Sequence, residues 1–85
     1  MEIKWTDDGV VSIGGIMDVH KFYVHATDIK SPNFNAFDCY FREIKAWLEQ
    51  NVEDRRYDTL GGILSLTILI MDPEPAMLFK LAWME

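Results

Sequence analysis

The chain has 85 residues, 49% of them hydrophobic and 13% aromatic, with 14 acids against 8 bases for a formal charge of -6 and a pI near 4.7. Such a chain holds one domain with one core, residues 1-85, and is too apolar to be a disordered segment. Its acidity argues against direct contact with nucleic-acid phosphates or an anionic membrane and favours a basic protein partner, although the same charge also serves solubility.

Cys39 is the single cysteine, so an intrachain disulfide and a cysteine-rich metal site are excluded. A small buried apolar role is the simpler reading for it. The first residues lack a basic start followed by a long apolar run, and no stretch of about 18 apolar residues occurs anywhere. A cytoplasmic protein with no membrane span is the expectation.

Along the chain, residues 2 to 13 alternate loosely around Asp7-Asp8-Gly9, and an Asp-Gly pair between apolar alternations signals a hairpin turn with a short strand on each side. Gly14-Gly15 interrupts the pattern. A third strand then carries Phe22, Val24 and Ala26 on one side and Val19, Lys21, Tyr23, His25 and Thr27 on the other. Ser31 and Asn35 are candidate helix caps and Pro32 suits a first turn, so a helix of roughly 18 residues should begin between Pro32 and Ala36. Its apolar stripe is Phe37, Phe41, Ile44 and Leu48, flanked by Tyr40, Trp47 and Val52, with Arg42, Glu43, Lys45, Glu49 and Gln50 opposite.

After the charged stretch from Asn51 to Asp58, the run Ile63 to Met71 reads as a long strand, and Asp72-Pro73-Glu74-Pro75 as a stiff connection. The alternation from Ala76 to Met84 reads as a last strand, with Met77, Phe79, Leu81 and Trp83 on one face and Leu78, Lys80, Ala82 and Met84 on the other. The expected fold is therefore α+β in the order β-β-β-α-β-β: an antiparallel sheet of four or five strands with one helix packed on one face.

One helix covers only one side of such a sheet. The reverse side would then show Val19, Tyr23, Ile63, Leu69, Met71, Leu78, Ala82 and Met84, more apolar surface than a monomer usually leaves bare. Three covers suggest themselves: the N-terminal hairpin folded across it, a second copy in a homodimer, or another protein. On the last two readings the contact residues are Tyr23, Leu69, Met71, Leu78 and Met84. The acids near the helix, Asp38, Glu43, Glu49, Glu53 and Asp54, would meet a Lys/Arg surface on a basic partner, speeding encounter and selecting it.

Catalytic patterns are hard to find. His20 and His25, five apart on one strand, point to opposite faces and cannot grip one metal together. Neither histidine forms a recognisable nucleophile arrangement by spacing, and Gly14-Gly15 and Gly61-Gly62 lack the Lys-Ser/Thr of a phosphate cradle, which leaves turns or bulges. The expectation is no catalytic residue, cofactor or metal. A small-molecule pocket near Tyr40, Trp47 and Trp83 is the competing reading.

From Phe34 onward, Phe34, Phe37, Ile44 and Leu48 on the expected helix, followed by Leu60, Gly62, Leu64, Ser65, Leu66 and Ile68, form a pattern that resembles the C-terminal half of small bacterial immunity proteins of the cell-wall-associated toxin type. These are core and turn positions, so no binding residue is carried across. The chain departs from that pattern at Asp72-Pro73-Glu74-Pro75, where the family usually has a Gly-containing turn. The acidity, with no catalytic residue to show, leads to the expectation of a small acidic inhibitor of the immunity or phage counter-defence kind that blocks its target by direct contact. Its partner would be a basic nucleic-acid-handling protein such as a nuclease toxin or a host defence complex; a homodimeric structural or accessory protein is the alternative.

Overall fold

The structure, a computed structural model, describes residues 2-27 and 34-84. The order is β1 (Ile3–Ile13), β2 (Met17–Ala26), α1 (Phe34–Asn51), β3 (Tyr57–Gly62), β4 (Ser65–Ile70) and α2 (Pro73–Trp83). All neighbouring strands are antiparallel, in the spatial order β1-β2-β4-β3. The α+β class and the four-stranded antiparallel sheet agree with the sequence reading. The order β-β-β-α-β-β does not, because there are two N-terminal strands instead of three and the chain ends in a second helix.

The first difference lies at Asp7-Asp8-Gly9, which forms a bulge inside β1 and not a hairpin turn. Asp7 pairs with Phe22 and Gly9 with Lys21, leaving Asp8 as the extra residue. Gly9 has φ 70, and its N–H donates to Asp7 Oδ1 at 2.9 Å, so the local Asx geometry that suggested a turn is used to bend a continuing strand. The reversal comes at Gly14-Gly15, with φ 62 and 69, and Ile16 N–H donates to Ile13 O. Two successive positive-φ residues match the twist of a tight hairpin. Turning there lets strands of 11 and 10 residues pair along their whole length, whereas a turn at Asp8 would leave only a short ladder.

The helix α1 starts at Phe34, inside the expected window, while Ser31 and Pro32, the expected cap and first-turn residue, lie outside the described residues. Phe37, Ile44, Leu48 and Val52 are buried as the stripe requires; Phe41, expected in the core, is only partly buried, and Cys39, expected to be buried, is exposed. Cys39 lies on the side of the helix turned away from the sheet. Phe41 is within the buried arc but borders the open concavity at Gly62, Ile63 and Leu64, which leaves it part-covered.

The expected long strand from Ile63 to Met71 is shorter. Tyr57–Gly62 forms its own strand, Gly62 pairs with Ser65, and Ile63-Leu64 is the turn between them. Leu64, expected beneath the helix, takes φ 56 there, and Ile63 is 86% exposed. Leu66, Ile68 and Ile70 then alternate inward from β4, opposite Val24, Phe22 and His20 of β2.

The largest correction is at the C-terminus, where Ala76 to Met84 contributes a helix and no strand. Within Pro73–Trp83 there is no β-branched residue, and Ala, Met, Leu and Lys are good helix formers. Pro73 and Pro75 sit in the first turn, where a missing N–H costs nothing, Glu74 lies at the positive end of the helix dipole and Lys80 toward the negative end. Spacings of three and four residues bury Ala76 and Phe79 and partly bury Trp83, while Met77 and Leu81, expected to face a helix, are exposed.

One core results. Phe22 and Val24 of β2, Leu66, Ile68 and Ile70 of β4, Ile44, Leu48 and Val52 of α1, and Ala76 and Phe79 of α2 form a single cluster, so both helices cover the same side of the sheet. The bidentate Arg56–Asp72 pair, with Nη2 to Oδ1 at 2.6 Å and Nε to Oδ2 at 3.1 Å, ties the chain before β3 to the start of α2. Each charge favours the other, holding the Asp72 carboxyl below and the Arg56 guanidinium above its ordinary pKa. Beyond the His20–Ile70 pair, β4 has no further partner for β2, and the outer half of the β1–β2 hairpin projects past the helices. The molecule is accordingly elongated, 40 × 26 × 22 Å.

Candidate functional site

The expected contact residues fall into separate groups. Tyr23 and Leu69 lie on the helix-free face of the sheet, where the register places Tyr23 beside Thr6 and Thr67, and Leu69 beside Lys21 and Asp58. Met71 follows at the end of the same strand. All three are partly buried. Leu78 and Met84 do not join them: Leu78 is on α2 and Met84 caps its end, across the sheet, with Leu78 exposed and Met84 against the core cluster.

The helix-free face exists, but it alternates Lys4, Thr6, Lys21, His25, Ser65 and Thr67 with its apolar residues. The β1–β2 hairpin extends the sheet and does not fold across that face. Val19, opposite Val11, is fully shielded there, while His25 stacks at 5.3 Å from Tyr23 with a buried Nδ1 that has no hydrogen-bond partner.

The acids Asp38, Glu43, Glu49, Glu53 and Asp54 are all exposed, on α1 and the segment after it. Asp38 is engaged by Arg42 at 2.9 Å one turn on, an exposed pair of small energetic weight. Partial burial, then the nearby Glu49 and Asp54 carboxylates, push the Tyr57 phenol above its ordinary pKa, which marks a negative potential at the junction of α1 and β3.

The expected pocket at Tyr40, Trp47 and Trp83 is filled by the rings themselves. Tyr40 and Trp83 meet edge-on at 5.6 Å, Trp47 meets Phe79 at 5.5 Å, and Trp5 Nε1 donates to the Tyr40 hydroxyl at 3.0 Å. Desolvation raises the Tyr40 pKa despite that hydrogen bond. The Trp83 Nε1 is buried without a partner.

Among the described residues, concavities lie elsewhere. One, of about 300 Å³, lies between Phe37, Asp38 and Phe41 of α1 and Gly62, Ile63 and Leu64 at the β3–β4 turn. Another, of about 250 Å³, lies between the hairpin and α2 and is lined by Asp7, Gly9, His20, Phe22, Pro73, Ala76, Met77 and Lys80. The sequence reading missed this second cleft because its far wall is α2, which was expected to be a strand. Pro73 and Pro75 followed by residues without a β-branch were the signal that could have revealed it.

At the second cleft the bulge sets the geometry. By shifting the register of β1 it returns Val10 to the same side as Asp7, the helix side that Phe22, His20 and Asp18 of β2 share by simple alternation. Phe22 and Ala76 are buried at its floor, and Val10 and Met77 are exposed beside it. Lys80 Nζ reaches Asp7 Oδ2 at 3.0 Å, joining the hairpin to the helix. The hydrogen bond from Lys80, then that from Gly9 N–H, holds the Asp7 carboxyl below its ordinary pKa.

A folded-state pKa below the unfolded one means that the charged carboxylate stabilises the fold at neutral pH and that this contribution is lost as pH falls through the folded pKa. Asp7→Asn should therefore lose less stability than the parent chain between about pH 4 and about pH 2, just below the ordinary carboxyl pKa. Urea midpoints at several pH values check this, and parallel curves for the two chains would contradict it.

Among the described residues no three His, Cys, Asp or Glu side chains are placed to hold a metal ion, and no helix is long and apolar enough to cross a membrane. His20 faces the cleft and His25 the opposite side of the sheet. The chain matches no model of a known protein family, no curated protein and no solved structure.

Proposed function

We propose that the chain is a small acidic inhibitor, of the immunity or phage counter-defence kind, that blocks a basic nucleic-acid-handling protein by direct contact. The observation that carries this reading is the combination of a charge of -6 with large apolar side chains left in water on two adjacent elements. Val10, Ile13, Met17 and the 92% exposed Ile16 lie on the projecting hairpin, and Met77, Leu78 and Leu81 lie on α2. Apolar groups of this size supply affinity when buried, and the surrounding charge selects the sign of the partner. A second copy would bring another -6 to the interface, so the same charge weighs against a homodimer.

The test is capture from the native host at low salt, followed by competition with nucleic acid. A retained basic protein that loses its nucleic-acid binding in the presence of the chain is the expected result, and an acidic protein, or one that still binds nucleic acid, overturns the reading. With that target in hand, Glu49→Lys combined with Glu53→Lys should slow association severalfold at low ionic strength and have little effect at about 1 M salt, where the screening length is only about 3 Å. Equal rates for both chains at low salt would remove the electrostatic contribution.

A further inference from the structure

The cleft between the hairpin and α2 combines three properties that the helix-free sheet face lacks. Its floor is apolar, from Phe22 and Ala76, and its exposed borders are apolar too, from Val10 on the hairpin and the 67% exposed Met77 on the helix. Gly9, at the bulge, lines the cleft beside Asp7. At the inner end the Asp7–Lys80 pair is already matched in charge. The outer end differs, because Asp18 lies one step beyond His20 on the same side of β2 and Glu74 follows Pro73 on α2. Both are exposed carboxylates with no ion-pair partner among the described residues.

We infer that this cleft is the docking surface for the partner, and that it takes a segment in which an apolar side chain is next to an arginine or lysine. The inference rests on the proposed basic partner and gives it a location. The apolar side chain enters between Val10 and Met77 above Phe22 and Ala76, displacing water from a surface that already lacks polar partners. The adjacent cation meets Asp18 and Glu74 at the mouth. Neither carboxylate has an ion-pair partner among the described residues to lose when it does so. The occupant is a protein segment of this composition because exposed carboxylates on both sides of an apolar floor complement a cation next to an apolar side chain.

The experiment uses the full chain, labelled with nitrogen-15, titrated with a capped octapeptide of alternating leucine and arginine and followed by amide chemical shifts. Shifts concentrated at Gly9, Val10, Asp18, His20, Glu74 and Met77 are expected. Met77→Glu, and separately Asp18→Lys with Glu74→Lys, should each weaken binding by about tenfold or more, with circular dichroism unchanged because these side chains are exposed. An arginine-serine octapeptide should bind at least about tenfold less tightly than the leucine-arginine one.

Binding with shifts centred on Tyr23 and Leu69 would overturn the cleft while leaving a basic partner in place. Equal binding of the two peptides would overturn it as well, since charge alone would then account for the contact. No binding of either peptide would overturn the cleft, while the basic-partner reading on which it rests is decided separately by the capture experiment.

Discussion

Phe79→Ala should destabilise the fold by roughly 3 to 5 kcal/mol, the range for removing a fully enclosed aromatic side chain. Phe79 has no exposed surface, and its ring lies 5.1 Å from Phe22, 5.6 Å from Trp5 and 5.5 Å from Trp47. It is therefore the point at which α2, β1, β2 and α1 meet. Urea titration followed by far-ultraviolet circular dichroism gives the value without relying on the tryptophans around it. A loss below about 1 kcal/mol, far short of the cavity range, would mean that α2 does not pack as described. The cleft would fail with it, since α2 forms its outer wall.

Leu48→Ala should cost roughly 2 to 5 kcal/mol. Leu48 is fully buried on α1 within the cluster that includes Ile68 and Phe79. Phe41→Ala removes a larger side chain yet should cost less, because Phe41 is only partly buried and borders the open 300 Å³ concavity. Water and neighbouring side chains can relax into that space, which reduces the cavity contribution. The same denaturant series decides the order. A larger loss from Phe41→Ala would show that the end of α1 carries more of the core than Leu48 does.

The two variants bear on different assignments. Leu48 tests the helix whose stripe was evident in the sequence, and Phe79 tests the helix that was not. Their ranking also bears on function, because a loosely held α2 could not present Met77 and Glu74 in fixed positions opposite the hairpin. Docking surfaces need such rigidity, since disorder in one wall adds an ordering cost to every binding event.

Much of the architecture is legible in single segments. Phe37, Ile44, Leu48 and Val52 recur at three and four residue spacing, and that period fixes α1 and its buried side whatever surrounds it. Phe22, Val24 and Ala26, and Leu66, Ile68 and Ile70, alternate on β-branched or aromatic backgrounds, which fixes β2, β4 and their buried faces. The charge of -6 is likewise a property of composition.

Other features depended on competition between distant segments. Ala76 to Met84 satisfies both a period of two and a helical spacing, and the choice went to the helix because Ala76 and Phe79 could then complete the core that α1 left open over β2. Asp7-Asp8-Gly9 can form a turn or a bulge; the bulge prevailed because ten further residues of β2 were available to pair with an uninterrupted β1. That outcome turns Val10 to the helix side and leaves the cleft between the hairpin and Met77. Local periodicity settled what each clear segment is, whereas the pairing partners of the ambiguous ones, found only when the chain closes on itself, decided where the cleft between hairpin and helix lies.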